Sequence, residues 1–302
     1  MYDVIILGGG PAGLTAALYS LRYGMKTLIL EELYLGGQIV NTSEIENYPG
    51  FSEPISGEEL IASLEKQVRA YNPDIVYEAV KEVNFGQTIK SIATSQKIYE
   101  GKTVIIAMGQ NPKQLGVDRE KELRGKGVSY CATCDGNFFR GKDVAVVGGG
   151  DTAITEAEFL SRICSDVYVI HRRSEFRAAK AEVEKLNKAS NVHFILSSKV
   201  SALKGETLLE AVDVKQTEGT QITLPVSALF VAVGAVPNTA LFKGGISLDP
   251  NGYIVTDEDM RTGISGVFAA GDIRRKSLRQ VSTAAADGAI AAHWAMNEIG
   301  SF

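Results

Sequence analysis

The chain has 302 residues, 45% of them hydrophobic and 22% charged, with three cysteines and a formal net charge of −5. That length suits two domains with separate cores, and the charge leaves no basic footprint for nucleic acid. The longest apolar stretches, such as residues 228–236, are too short to cross a bilayer, no signal peptide is expected before the first strand, and three cysteines do not make a disulfide scaffold.

Tyr2-Asp3-Val4-Ile5-Ile6-Leu7 reads as a buried parallel strand. Gly8-Gly9-Gly10-Pro11-Ala12-Gly13 follows and matches G-x-G-x-x-G at Gly8, Gly10 and Gly13; residues 14–23 then read as a helix that Gly24 stops. Such glycines allow a tight turn and let the backbone approach a pyrophosphate at the helix N-terminus. Residues 25–30 form a second strand with Glu31 at its end, where an acid accepts hydrogen bonds from ribose hydroxyls. A lone glycine motif means little; strand, loop, helix, strand and terminal acid together point to a dinucleotide.

Leu35-Gly36-Gly37-Gln38 precedes a polar stretch, residues 41–49, that reads as a surface loop. Residues 56–69 predict an amphipathic helix with Leu60, Ile61, Leu64 and Val68 on one face. Residues 74–100 alternate in short runs that suggest an antiparallel excursion, and residues 103–107 return to the buried-strand pattern before Met108-Gly109. The character of the chain changes after Pro112, which places a domain boundary there.

Cys131-Ala132-Thr133-Cys134-Asp135-Gly136 comes next. Two cysteines at this spacing can close into a small disulfide or open into a thiolate poised for exchange. Asp135 stands where an acid could move protons. One such pair and a third cysteine, Cys164, read as a core residue, fit a reducing cytosol, so the expected location is cytoplasmic. Residues 141–147 form a strand, Gly148-Gly149-Gly150-Asp151-Thr152-Ala153 gives G-x-G-x-x-A, and residues 154–163 and 167–170 read as helix and strand. The chain therefore repeats its architecture. A dithiol beside a dinucleotide turn suggests electrons moving from a cofactor to a disulfide.

The two repeats differ where it matters. His171 follows Gly148 at the same offset at which Glu31 follows Gly8, and Arg172, Arg173 and Arg177 come after it. An acid repels a 2′-phosphate, whereas an arginine cluster binds it through charge-assisted hydrogen bonds. Repeat one should take a cofactor with free ribose hydroxyls, and repeat two NADPH in preference to NADH. A solvated basic turn is the plainer reading of the arginines, and the matched offset weighs against it. Residues 180–188 continue as a charged helix and residues 192–233 as further strands; Pro237-Asn238 marks the return to the first domain. Residues 266–272 give a last strand and turn with Asp272 placed to hydrogen-bond a polyol or phosphate-linked chain. Arg279-Gln280-Val281 and an alanine-rich helix, residues 282–296, close the fold, the helix being read as packing.

These residues closely resemble the bacterial-type low-molecular-weight thioredoxin reductases over nearly the full length. The likeness rests on Gly8 to Gly13, Gly36-Gly37-Gln38, Glu46-Asn47-Tyr48-Pro49-Gly50, Cys131 to Gly136, Gly148 to Ala153, His171 to Ala178, and Gly271-Asp272 with Arg279-Gln280. The resemblance implies an α/β fold of two Rossmann-like domains, the second inserted into the first. Residues 1–113 and 238–302 would bind FAD, and residues 114–237 would bind NADPH and carry the redox disulfide. It also implies a homodimer.

For FAD it carries over Gly8, Gly10, Pro11, Ala12 and Gly13, then Glu31, Gly37, Gln38 and Asn47. Val80, Ala107, Gly109, Gly271, Asp272, Arg279, Gln280 and Val281 complete that site. For NADPH it carries over Gly148, Gly150, Asp151, Thr152 and His171, with Gly150 to Thr152 as the pyrophosphate loop, and Arg172, Arg173 and Arg177 at the 2′-phosphate. Ala107-Met108-Gly109 departs from the Ala-Thr-Gly of many relatives, a change that backbone contacts survive. In the scheme so implied, a hydride passes from NADPH to the flavin, which reduces a Cys131–Cys134 disulfide. Cys134 is the sulfur nearer the flavin, Cys131 the nucleophile toward a thioredoxin-like protein, and Asp135 the acid. A rotation of the second domain is implied too, with linkers near Pro112 and Pro237 compatible with it.

Other readings fit less well. No second pair or nearby histidine completes a zinc site around the CxxC. A flavin-dependent dithiol oxidase or a ferredoxin-fed reductase has no use for the arginine cluster. A redox sensor without catalysis has little use for an acid beside the dithiol. A lipoamide- or glutathione-type reductase would place its dithiol soon after the first glycine loop.

Overall fold

The apolar run after Met1 is β1 (Tyr2–Leu7), buried from Val4 onward. The structure, a computed structural model, describes residues 1–42, 44–86 and 88–300. Ser43, Gln87, Ser301 and Phe302 lie outside the described residues, within the loop, the excursion and the last part of the first domain expected above. In chain order β1 is followed by α1 (Pro11–Arg22), β2 (Thr27–Glu31), α2 (Gly57–Arg69), β3 (Asp74–Tyr77), β4 (Val80–Phe85), β5 (Lys90–Thr94), β6 (Ile98–Ile106) and β7 (Gln110–Pro112). Next come β8 (Val128–Ser129), α3 (Ala132–Asp135), β9 (Val144–Gly148), α4 (Asp151–Ser161), β10 (Val167–Ile170), α5 (Lys180–Leu186) and β11 (Val192–Ile195). The chain ends with β12 (Ser198–Lys204), β13 (Ala211–Gln216), β14 (Gln221–Pro225), β15 (Ala228–Ala232), β16 (Ala235–Pro237), β17 (Val267–Ala269) and α6 (Val281–Ile299). Two compact units result, residues 1–111 with 236–302, and residues 112–235.

In the first unit the sheet order is β3-β2-β1-β6-β5-β4, with β17 also on β6. β6 changes partner along its length. Ile98 to Gly101 run antiparallel to β5, and Val104 to Ile106 run parallel to both β1 and β17. The antiparallel excursion expected over 74–100 therefore begins later than its sequence pattern suggests. β3 pairs in parallel with β2, Leu28 opposite Asp74, because α2 between them makes a crossover, and a crossover returns a strand in parallel. Ile6, Ile29, Ile105 and Phe268 face one core with α1, α2 and α6. Ile5, Leu7, Leu28 and Val104 face a second core on the other side. Burial on both faces is why these strands read as unbroken apolar runs.

The helices start where their caps are. Gly10 caps α1 with Pro11 in its first turn, and Ser56 caps α2 through a reciprocal capping box with Glu59. A side chain at Gly288 in α6 would run into the backbone of Ala12 and Ala16 in α1, so the small residues of α6 allow close helix packing.

In the second unit, all neighbours in β11-β10-β9-β15-β8 are parallel, and β12-β13-β14 form an antiparallel meander. β9 starts three residues later than the run at 141–147, because Gly141 sits in a turn at φ 69°. In both units the glycine turn stands at the carboxyl end of the first strand, β1 or β9. That is the ligand crevice of an open parallel sheet. Among the described residues no helix is long and apolar enough to cross a membrane.

Candidate active site and nucleotide turns

After β1 the chain turns at Gly8, φ 103°, where a side chain would overlap the Ala107 carbonyl at the end of β6. A side chain at Gly13 would overlap the Gly8 carbonyl. Those two glycines serve close packing of turn, helix and strand. Gly10 is different. A Cβ there would meet nothing nearer than the Gly36 carbonyl oxygen at 3.9 Å and Gly37 Cα at 4.0 Å. The N-terminus of α1 thus faces open space of the kind a pyrophosphate needs. Glu31, the last residue of β2, accepts the Gly9 N–H at 2.7 Å through Oε2 and the Glu32 N–H at 2.8 Å through Oε1. Its carboxylate is therefore locked against the loop.

Backbone and side-chain bonds draw the other first-domain positions into the same neighbourhood. Gly36 N–H donates to the Gly9 carbonyl at 2.8 Å. Gln38 donates through Nε2 to the Gln110 carbonyl and, at 3.1 Å, to Asn111 Oδ1. Gln110 Nε2 donates to Asp272 Oδ2 at 3.4 Å. Asn47 Nδ2 donates to Gln280 Oε1 at 3.2 Å, Gln280 caps α6, and Val281 is that helix's first residue. Gly109 lies at φ 63° with open space where a side chain would project. The Arg279 guanidinium sits 4.2 Å from the centre of the Tyr253 ring. Val80 heads β4 and packs into the second core, with no bond to these residues among those described.

Two polar atoms here are buried without a partner among the described residues, Asp272 Oδ1 and Arg279 Nε. Burial pushes the Asp272 carboxyl above the usual carboxylate range, against the charges of Lys276 and Arg279. An open helix N-terminus, a locked carboxylate at a strand end and an orphaned buried acceptor and donor make a donor set that fits a flavin dinucleotide.

Asp287 holds this end of the site and escaped the sequence reading. It is buried on α6. Its Oδ2 accepts the Gly271 N–H at 3.0 Å, Arg274 Nε at 2.9 Å and Lys276 Nζ at 2.7 Å, and its Oδ1 accepts Arg274 Nη2 at 2.9 Å. Burial works to raise its carboxyl, but the bonds and charges of Arg274 and Lys276 outweigh it and hold the group below the usual range. The helix read as packing thus also fixes the turn that carries Gly271 and Asp272. The available signal was an acid on the alanine face, at helical spacing from Ala284 and Ala291.

In the second unit Gly148 abuts the Ala232 carbonyl, so only glycine fits, and Gly150 caps α4 with open space beside it. Asp151 Oδ1 accepts the Ala179 N–H at 3.1 Å, and Thr152 is exposed. His171 does not reach out with the arginines. It is 5% exposed, stacks on Phe176, and fills the space a side chain at Gly149 would need. Its place is beneath the loop. Burial lowers its pKa, with the charges of Arg177, Arg172 and Arg173 adding to that. Those three arginines are exposed, and none enters an ion pair with a described residue. Three free guanidinium groups next to an open helix N-terminus fit a nucleotide with an added phosphate.

The dithiol lies in the same unit. Cys131 and Cys134 are joined as a disulfide, with Cα atoms 5.3 Å apart. Cys131 caps the short α3, and the N–H groups of Cys134 and Asp135 both donate to its carbonyl, at 3.2 and 3.1 Å. Ser129, at the end of β8, ties the turn together: its Oγ accepts the Cys131 N–H at 3.1 Å and donates to Asp135 Oδ2 at 2.6 Å. Asp135 Oδ1 is buried without a partner among the described residues. Burial pushes the Asp135 carboxyl up, against the Ser129 bond and the charge of Arg124, so it can carry a proton nearer neutrality than a free aspartate. Thr133 Oγ1 stands 3.4 Å from Cys131 Sγ. Cys164 is buried away from this chemistry; its Sγ donates to the Phe139 carbonyl at 3.4 Å, and burial pushes its thiol up to about 11.

Known proteins match this arrangement throughout. The family model for pyridine nucleotide-disulphide oxidoreductases matches residues 2–288. A thioredoxin reductase of Peptoclostridium litorale is 47% identical over 97% of this chain and 95% of its own length. One of Listeria monocytogenes is 43% identical over 96% and 92%. The crystal structure of thioredoxin reductase from Streptococcus pyogenes superposes with a TM-score of 0.95 at 41% identity, covering 100% of this chain and 99% of that one. Similarity this extensive, running through both units, makes the chain a member of the pyridine nucleotide-disulphide oxidoreductase family, among its low-molecular-weight thioredoxin reductases.

Proposed function

We propose that the chain is an NADPH-dependent thioredoxin-disulfide reductase. Residues 1–113 and 238–302 form its FAD-binding domain, and residues 114–237 its NADPH-binding domain. The observation that carries this reading is a Cys131–Cys134 disulfide with a buried acid at its second sulfur, in a unit whose glycine turn is flanked by free arginines. When bound, NADPH supplies a hydride and FAD relays its electron pair to a disulfide.

The chain's own residues do the rest. Gly10 admits the flavin pyrophosphate and Glu31 the ribose, while Asp272 and Arg279 take up the remainder of the group through their unpartnered atoms. Arg172, Arg173 and Arg177 hold the 2′-phosphate, and His171 supports the loop from below. In the reduced protein Cys131, as the thiolate, attacks one sulfur of the partner's disulfide. A mixed disulfide forms and the partner's other sulfur leaves as thiolate. Cys134 then attacks Cys131 Sγ, re-forming the pair and releasing the partner as a dithiol. Asp135 takes the Cys134 proton and passes it to a leaving sulfur. Thr133 Oγ1 is placed to donate to the Cys131 thiolate. The partner is thioredoxin or a protein like it, the working form is a homodimer, and the compartment is the reducing cytoplasm. Full-length likeness to thioredoxin reductases supports the first two, and the cysteine usage supports the third.

Anaerobic mixing with NADPH, and separately with NADH, tests the first half. Rapid flavin bleaching by NADPH with NADH much poorer is expected, followed by NADPH oxidation on adding thioredoxin disulfide. Cys131→Ser should keep the bleaching and abolish turnover. Failure of both nucleotides to bleach the flavin, with bleaching by a dithiol instead, would reverse the direction of electron flow and sink the proposal.

A further inference from the structure

The face of α4 that meets the redox turn carries Ala153, Glu156, Ala157 and Leu160 at helical spacing, so an acid stands in an otherwise apolar stripe. A side chain at Gly136, just after α3, would press on Phe159 and Leu160 at 2.8 and 2.9 Å, which shows how tightly the turn and helix pack. Glu156 Oε1 accepts the N–H of Ala132, the residue after Cys131, at 3.4 Å. Its Oε2 is buried with no partner among the described residues. Among the described residues no cation answers this carboxyl. On the elements packed against α4, α3 with its cap brings Cys131, Cys134 and Asp135, and β10 brings Tyr168. β9 and β15 bring no titratable group. α5 brings Lys180, Glu182, Glu184 and Lys185, and Lys185 is engaged by Glu158 at 2.7 Å.

We propose that Glu156 is a positioning residue of the dithiol: its carboxyl anchors the backbone at Ala132 and, once ionised, puts a negative charge beside Cys131 that weakens the Cys131 thiol as an acid. The inference rests on the reading of Cys131 and Cys134 as the redox pair. Burial pushes the Glu156 carboxyl up to about 7, with the Ala132 N–H pulling it the other way, so the charge arrives in the pH range where thiol–disulfide exchange proceeds. Proton loss from Glu156 and from Cys131 are then coupled, each anion opposing the other, and the thiol titrates in two steps rather than one.

The test uses the flavin-loaded protein, reduced with dithiothreitol and freed of it, with iodoacetamide as the probe. Alkylation of the Cys131 peptide is followed by mass spectrometry from about pH 5 to pH 9, a window that spans the two coupled groups, with the Cys134 and Cys164 peptides scored separately. Glu156→Gln keeps an oxygen for the Ala132 N–H and cannot ionise. It should lose the step that Glu156 adds to the wild-type profile and give alkylation roughly tenfold faster at neutral pH, the effect of about one unit in the thiol. Glu156→Asp keeps a charge and should keep two steps. A Glu156→Gln profile that superimposes on the wild type overturns the proposal, as does a single step in Glu156→Asp. A single step in the wild-type protein overturns it without any variant. Because the reductant is dithiothreitol, a chain that fails to turn over NADPH and thioredoxin still answers the question about Glu156.

Discussion

Asparagine at position 287 would keep the size of the side chain and remove the charge with which Arg274 and Lys276 pair. The Asp287, Lys276 and Arg274 side chains are 6%, 7% and 15% exposed, so the substitution strands buried charge. Breaking a buried pair in this way costs about 3–5 kcal/mol. At about 2–4 °C per kcal/mol for a unit of this size, the first-unit transition should fall by roughly 6–20 °C. The turn at Gly271 and Asp272 loosens with it, so Asp287→Asn should also lose FAD on desalting where the wild type keeps it. Calorimetry and the flavin-to-protein absorbance ratio read both effects. The pH dependence carries a sign. Asp287 is held below the usual carboxylate range in the folded protein, so its contribution is complete above the unfolded value of about 3.9 and disappears as pH falls through the folded one. The gap between wild type and variant should therefore stay constant from about pH 5 to 8 and close only in strong acid. A melting point unchanged to within about 1 °C, or a gap that closes near neutrality, would refute the assignment. Adding Lys276→Met should recover part of the loss by removing one stranded cation.

Gly10→Ala and Gly13→Ala separate cofactor space from fold. The first adds a methyl to open space and should melt like the wild-type apoprotein yet fail to take up FAD. The second collides with the Gly8 carbonyl and should fold poorly, which melting curves with and without added flavin will show. Replacing Arg172 and Arg173 together by alanine should raise the KM for NADPH by roughly tenfold or more and leave NADH unchanged, since only the 2′-phosphate loses its charge-assisted bonds; equal losses for both nucleotides would place the arginines elsewhere. Asp135→Asn should slow thioredoxin reduction by roughly 10²–10⁴-fold, the worth of a positioned acid, without changing the rate of flavin bleaching in stopped-flow absorbance.

Much of the fold lies open in the sequence because short apolar runs, glycine turns and helical stripes are local patterns. β1, α1 and β2 follow from the first thirty or so residues, and the offset that sets Glu31 against His171 is visible by counting. What stays hidden depends on partners far along the chain. The direction of β3 is set by the crossover through α2, not by its own residues. Asp287 reads as one polar residue in an alanine-rich helix until Gly271, Arg274 and Lys276 are seen around it. The offset sets His171 where the first repeat has Glu31, and its burial against Gly149 shows only in three dimensions.

Asp287 and Glu156 make the physical reason plain. Each is an acid on the apolar face of a helix that supports a functional turn, and each accepts a backbone N–H from that turn. Sequence periodicity treats them alike. Desolvation also acts on both in the same direction, toward the neutral acid. What separates them is whether a cation arrives from elsewhere in the fold. Arg274 and Lys276 reach Asp287 and reverse the effect of burial, which makes it a fixed anion and a structural anchor at any pH where the protein works. Among the described residues no cation reaches Glu156, so burial prevails and its charge follows the pH. The same residue type in the same pattern thus becomes a permanent strut in one unit and a titrating neighbour of the dithiol in the other.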